Sequence, residues 1–196
     1  MAKKMNVPNT LSLVRVLLVP FFMAAALFMQ GIPVWGKVVP ALIFGLASFT
    51  DFLDGKIARK YNLVTDFGKF IDPLADKFMV FGALITILVT DAVIAPVFVW
   101  VAAVVMLREL AITSLRLVVA GKEGIVIAAS FFGKLKTVSQ IAAILLILLE
   151  PLCVGLAPVF EMRIVSYVAM GVMAVTTVAS GIDYMKAYMP LVDTNK

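Results

Sequence analysis

Four aspartates stand where carboxylates are costly. Asp51 and Asp54 close one long apolar stretch and Asp72 and Asp76 lie inside the next, in surroundings where an unpaired charge costs several kcal/mol. Side chains three or four apart share one face of an α-helix, so Asp51 projects with Asp54 from one helix and Asp72 with Asp76 from another. Two such helices facing each other would converge four carboxylates. Four negative charges match two divalent cations, and oxygen-only ligation favours Mg²⁺, Mn²⁺ or Ca²⁺ over softer metals. Paired metals serve phosphoryl transfer by stabilising the attacking and leaving oxygens together. The competing reading is a structural ion network in which Lys56, Arg59, Lys69 and Lys77 pair with the same acids.

The residues between the acids allow two kinds of reading as well. Gly55 and Gly68 either permit close helix packing or let a phosphate-bearing ligand approach the backbone. Ala58 lies two helical turns after Asp51 on the same face, where a larger side chain would fill the proposed pocket. Arg59 is either an interfacial anchor or a bidentate grip on phosphate.

The elements that must carry these groups are helices in a membrane. Of 196 residues, 63% are hydrophobic and only 15% charged, and the mean hydropathy is +1.08, whereas soluble chains run at about 45–50% apolar and about 25% charged. Histidine is absent and Cys153 is the single cysteine, which excludes histidine general-base chemistry, His-ligated zinc, CxxC redox motifs and internal disulfides. A spanning helix needs about 20 mostly apolar residues. Six fit, at 11–29, 38–58, 68–90, 93–119, 134–152 and 162–185, separated by Gly31 to Gly36, Arg59-Lys60-Tyr61-Asn62, Asp91, Gly121 to Gly133 and Pro151 to Glu161. The expectation is an all-α polytopic membrane protein of six transmembrane helices forming one domain over 1–196, with no linker or repeat.

With both termini cytoplasmic, every Lys and Arg except Lys37 and Arg163 falls on the cytoplasmic half, as the positive-inside rule requires. Asp91, Glu150 and Glu161 then read as solvated loop charges on the other side. The net charge of +5 accordingly reflects orientation and attraction to anionic lipid or phosphate, not nucleic acid. Asn9 or Thr10 is positioned to cap the first helix. Leu11 to Val19 is either an N-terminal interfacial helix or the start of a simple span from which Arg15 snorkels. Asp183-Tyr184 reads as a structural interaction at a helix end.

The run Asp51-x2-Asp54-Gly55-x2-Ala58-Arg59-x8-Gly68-x3-Asp72-x3-Asp76 is similar, without a departure, to the signature of the CDP-alcohol phosphatidyltransferase family. Outside it, Pro8-Asn9-Thr10-Leu11 with Arg15, the stretch Val64 to Lys77, Arg108-Glu109-Leu110 with Thr113 and Arg116, Gly133-Lys134-Leu135-Lys136-Thr137 with Gln140, and Asp183-Tyr184 resemble the bacterial branch that makes phosphatidylglycerophosphate. The resemblance implies six transmembrane helices in the bacterial plasma membrane, a cavity facing the cytoplasm, two divalent cations (Mg²⁺ or Mn²⁺) per site and a homodimer. It implies transfer of the phosphatidyl group from CDP-diacylglycerol to sn-glycerol 3-phosphate. Carried over by position, Asp51, Asp54, Asp72 and Asp76 are metal ligands, Asp76 is also the catalytic base, and Asp51, Gly55, Ala58, Arg59 and Gly68 hold the CDP moiety.

An anionic acceptor needs cations. Arg108 and Arg116, eight apart and so near one helix face, are with Lys134 the candidates for its phosphate, and positive-inside snorkelling is the alternative. Glu109 either orients one of these arginines or neutralises it. The same family with inositol or serine as acceptor is the nearest competing function. A divalent-cation transporter would also put carboxylates on facing helices, but cations beside a permeation path repel Mg²⁺, whereas a phosphate pocket requires them.

Overall fold

The structure, a computed structural model, describes residues 7–61, 65–120 and 130–192. Among them the chain is helical: α1 (Val7–Phe28), α2 (Trp35–Tyr61), α3 (Asp66–Thr90), α4 (Ala95–Ala120), α5 (Phe131–Leu149), a short α6 (Pro158–Glu161) and α7 (Ile164–Tyr188), with 3-10 turns at Glu150–Cys153 and Met189–Leu191. All but α6 are long and apolar enough to cross a membrane, giving the six expected spans. Pro20, Pro40 and Pro73 lie inside helices, which is tolerated in spans because packed neighbours and local adjustments satisfy the freed carbonyl.

Several boundaries differ from expectation. α2 continues to Tyr61, so Arg59 and Lys60 extend a helix instead of forming a gap, since Lys-Ile-Ala-Arg-Lys contains good helix formers and no breaker. α1 begins at Val7 and runs without interruption to Phe28. Asn9 and Thr10 therefore sit in its first turn and do not cap it. No separate interfacial helix precedes the span among the described residues.

The chain alternates direction, so α1, α3 and α5 begin at one end of the bundle, where α2, α4 and α7 finish. We call this the carboxylate end. α1 packs against α2 and α3, α7 against α4 and α5, and the two groups meet through α2 with α5 and α3 with α4. Phe22, Phe44, Leu84, Ile87, Phe98, Ile144, Ile147, Met170 and Met173 fill the middle, with the rings of Phe22 and Phe44 5.7 Å apart and tilted.

Two helix starts at the carboxylate end use the same device. Thr65 is extended and its hydroxyl accepts from Gly68 N at 3.0 Å, while Ser130 does the same for Gly133 N at 3.0 Å. Each satisfies one of the amides that a helix leaves open at its first turn. Both glycines also admit a neighbour. A Cβ on Gly68 would lie 2.9 Å from Asn9 Oδ1, and one on Gly133 would lie 3.3 Å from the Tyr184 ring and hydroxyl.

At the far end, the loop acids are not solvated charges, except for Glu161, which is exposed. Glu150 is buried and accepts from the backbone amides of Val165 (3.0 Å) and Ser166 (2.9 Å), so the end of α5 caps the start of α7. Arg163, in the left-handed region at φ 55°, donates to Glu150 Oε2 at 3.0 Å and to Asp91 Oδ2 at 2.6 Å. A left-handed non-glycine conformation is costly, and here the guanidinium contacts to two acids hold it. Sequence reading missed this because Asp91, Glu150 and Arg163 are remote in sequence and each is ordinary alone.

Glu150→Ala would leave Arg163 with Asp91 as its one acid among the described residues and uncap α7. It is expected to destabilise the fold by roughly 3–5 kcal/mol, whereas Glu161→Ala should change stability by no more than about 0.5 kcal/mol. Unfolding midpoints of the purified variants in one detergent check this pair.

Candidate active site

The interior face of α1 carries Asn9, Ser12 and Arg15 before turning apolar at Val19, Phe22 and Ala26, all buried. Because α1 lies against both α2 and α3, this polar stripe meets the acids of each. Arg15 Nη1 is 2.5 Å from Asp51 Oδ1. One turn earlier, Ser12 Oγ donates to Asp72 Oδ1 at 2.5 Å. Nearer the terminus, Asn9 Oδ1 accepts from the Thr65 hydroxyl at 3.0 Å, joining α1 to the cap of α3. Arg15 is fully buried, which corrects the snorkelling reading. Its charge is directed inward because a carboxylate is there to receive it.

Lys77 donates to the Pro73 carbonyl at 3.2 Å and makes no ion pair with an aspartate among the described residues. Among the described residues, Asp51 is ion-paired with Arg15, which the structural-network reading did not include. Asp76 is half-buried one turn beyond Asp72. The charged groups around it are Asp51 on α2, Lys136 on α5, Glu109 on α4 and Lys77 on α3. Asp54, Gly55, Ala58 and Arg59 lie on the last two turns of α2, their side chains outside the described residues. Gly68 is buried against Asn9 and Thr65, which is the packing role.

The donor set is chemically suited to a hard cation. Asp51, Asp72 and Asp76 offer carboxylate oxygens with a hydroxyl, Ser12, beside them, and no histidine or cysteine competes. Oxygen ligands of this kind suit Mg²⁺ or Mn²⁺. Among the described residues no three acidic side chains already form a closed metal-binding group.

A second polar cluster joins α4, α5 and α7. Lys136 is buried and ion-paired with Glu109, which also accepts from Arg108 Nη1 at 3.2 Å. Arg108 Nη2 donates to Ser180 Oγ at 2.5 Å. Arg116 donates to the Tyr184 hydroxyl, and the Tyr184 ring lies 4.7 Å from the Arg116 guanidinium and 5.7 Å from that of Arg108. Such contacts orient a guanidinium without neutralising it. Of the three predicted cations, Arg108 and Arg116 are gathered around one tyrosine, while Lys134 is exposed on the first turn of α5. Lys136, buried within this cluster, was not among the predicted cations. The available signal was its position one turn before Gln140 on the same face.

These two clusters, oxygen ligands on α1 to α3 and cations on α4 to α7, span nearly the whole chain. A family model, CDP-alcohol phosphatidyltransferase, matches residues 5–180, which include every residue of both clusters but Tyr184. The chain belongs to the CDP-alcohol phosphatidyltransferase family.

Within the family, the chain is 42% identical over 193 aligned positions to a Bacillus subtilis protein named CDP-diacylglycerol–glycerol-3-phosphate 3-phosphatidyltransferase, covering 91% of this chain and 93% of that one. Proteins of the same name from Salmonella typhimurium and Yersinia pestis are 40% and 37% identical. They cover 74% and 94% of this chain, and 78% and 95% of their own. The resemblance seen in the sequence therefore extends over both clusters of this phosphatidyltransferase.

If Ser12 and Arg15 orient metal-binding carboxylates, Ser12→Ala and Arg15→Gln should each reduce phosphatidyl transfer about 10- to 100-fold, the usual effect of removing a partner behind a ligand. The half-saturating Mg²⁺ concentration should rise in both. Activity measured against Mg²⁺, with folding checked by unfolding midpoint, tests this.

Proposed function

We propose that the protein transfers the phosphatidyl group of CDP-diacylglycerol to sn-glycerol 3-phosphate, releasing CMP and phosphatidylglycerophosphate, as a step of phospholipid biosynthesis. The observation that carries this reading is the near full-length similarity to proteins named for that reaction. The cations Arg108 and Lys136, gathered on Glu109, support it, since a phosphorylated acceptor requires positive charge. In this reading residues 1–196 act as one membrane domain in the bacterial plasma membrane, with both termini and the carboxylate end in the cytoplasm and two copies forming a homodimer.

Asp51, Asp54, Asp72 and Asp76 would hold two divalent cations, Mg²⁺ or Mn²⁺. When bound, such ions neutralise the diphosphate and stabilise the charge that grows on the departing CMP. The protein's own groups supply position. Gly55, Ala58, Arg59 and Gly68 hold the CDP moiety, Gly68 through the close approach of Asn9 and Thr65 that it permits. Arg108, Arg116 and Lys134 bind the acceptor's phosphate, with Tyr184 holding both arginines in place. Asp76 accepts the proton of the acceptor's hydroxyl as its oxygen attacks the lipid-side phosphorus. The new P–O bond forms while the bond to CMP breaks, so charge and protons balance. Positioning and electrostatics lower most of the barrier, as is general for phosphoryl transfer.

A transporter is disfavoured by the same geometry, because Lys136 would repel a cation passing Asp76.

Purified protein with CDP-diacylglycerol in micelles is expected to incorporate labelled glycerol 3-phosphate and release CMP, to stop in EDTA, and to lose turnover in Asp51→Asn, Asp54→Asn, Asp72→Asn and Asp76→Asn. Arg108→Gln, Arg116→Gln and Lys134→Gln should raise KM for glycerol 3-phosphate about 10- to 150-fold, the range for a lost charge-assisted hydrogen bond, with little change for CDP-diacylglycerol. Faster transfer to serine or inositol would keep the family and overturn the acceptor.

A further inference from the structure

Below the charged cluster lie two polar side chains that the activity has not used. Gln140 on α5 and Thr177 on α7 are 1% and 0% exposed, and neither the Gln140 amide nor the Thr177 hydroxyl has a hydrogen-bond partner among the described residues. In a helix, a threonine hydroxyl commonly bonds the carbonyl one turn back, as neighbouring Thr176 does to Val172 at 2.8 Å. Thr177 does not. A buried polar group left unmade is costly, and each such group in a native structure calls for an explanation.

The helix register sets the two at nearly the same depth. Ser139 on α5 and Thr176 on α7 hydrogen-bond at 2.7 Å, which fixes how the two antiparallel helices lie against each other. Gln140 follows Ser139 and Thr177 follows Thr176, so they differ by only about 3 Å along the bundle at a rise of about 1.5 Å per residue. Both turn inward. On α5, Gln140 lies one turn deeper than Lys136, and on α7 Thr177 lies one turn deeper than Ser180, the partner of Arg108. An amide and a hydroxyl, both neutral, thus form the layer beneath the cations.

Resting on the function proposed above, we infer that Gln140 and Thr177 form the floor of the acceptor site and hydrogen-bond the secondary hydroxyl of glycerol 3-phosphate. The acceptor's phosphate belongs among the cations and its reacting primary hydroxyl at Asp76. The secondary hydroxyl is the group left to reach a neutral donor and acceptor below. Gln140 and Thr177 are specificity residues in this assignment, since neither touches a bond that forms or breaks.

The test compares glycerol 3-phosphate with 3-hydroxypropyl phosphate, which keeps the phosphate and the primary hydroxyl but lacks the secondary one. Wild type is expected to favour glycerol 3-phosphate by about tenfold or more in kcat/KM, as sites built for a hydroxyl reject the analogue without it. Thr177→Val and Gln140→Leu should each lose about tenfold on glycerol 3-phosphate and little on the analogue, erasing the preference, with KM for CDP-diacylglycerol unchanged. Thr177→Ser, which restores the hydroxyl, should restore the preference. A wild type that does not discriminate, or variants that lose equally on both acceptors or keep the preference, would overturn this inference while leaving the activity intact. A wild type that uses inositol or serine and not glycerol 3-phosphate would overturn the activity and this floor together.

Discussion

The structure depends on a guanidinium buried in an apolar bundle. Arg15 is enclosed by α1, α2 and α3, and a charge so placed persists only with an opposite charge against it. Asp51 meets that need at 2.5 Å. The pair in turn sets the rotation of α1, and that rotation aims Ser12 at Asp72 and Asn9 at the cap of α3. Remove the ion pair, and the helix that locates an acid on each of its neighbours loses its register.

A division of labour follows. α1 to α3 gather carboxylate and hydroxyl oxygens, and α4, α5 and α7 gather cations. Glu109 is shared between Arg108 and Lys136, so two cations on two helices are fixed by one acid. Tyr184 holds Arg116 through its hydroxyl and both arginines through its ring. Preorganised charge of this kind costs no rearrangement at the moment of reaction.

Legibility in the sequence followed the range of the interaction. The six spans could be read because each is a local apolar run, and their ends moved by a few residues where helix formers such as Lys56 to Lys60 carried α2 onward. The spacing of Asp51, Asp54, Asp72 and Asp76 was legible because it lies within single helices. What escaped was tertiary: Arg15 facing inward, Lys136 rather than its neighbour Lys134 entering the bundle, and Arg163 collecting Asp91 and Glu150. A polar residue among apolar ones announces that it needs a partner without naming it. For α1 the cue was present, since Asn9, Ser12 and Arg15 repeat every three residues and continue into the buried apolar face.

The ion cluster around Arg163 lies at the end of the bundle remote from the aspartates. It ties the close of α3 and α5 to the opening of α7 through one guanidinium and a capping carboxylate. These contacts keep the far ends of α3, α5 and α7 together. The side chains at the carboxylate end therefore inherit an alignment that is anchored at the opposite end of the bundle, and a change at Arg163 reaches Asp72 and Asp76 only along the length of α3.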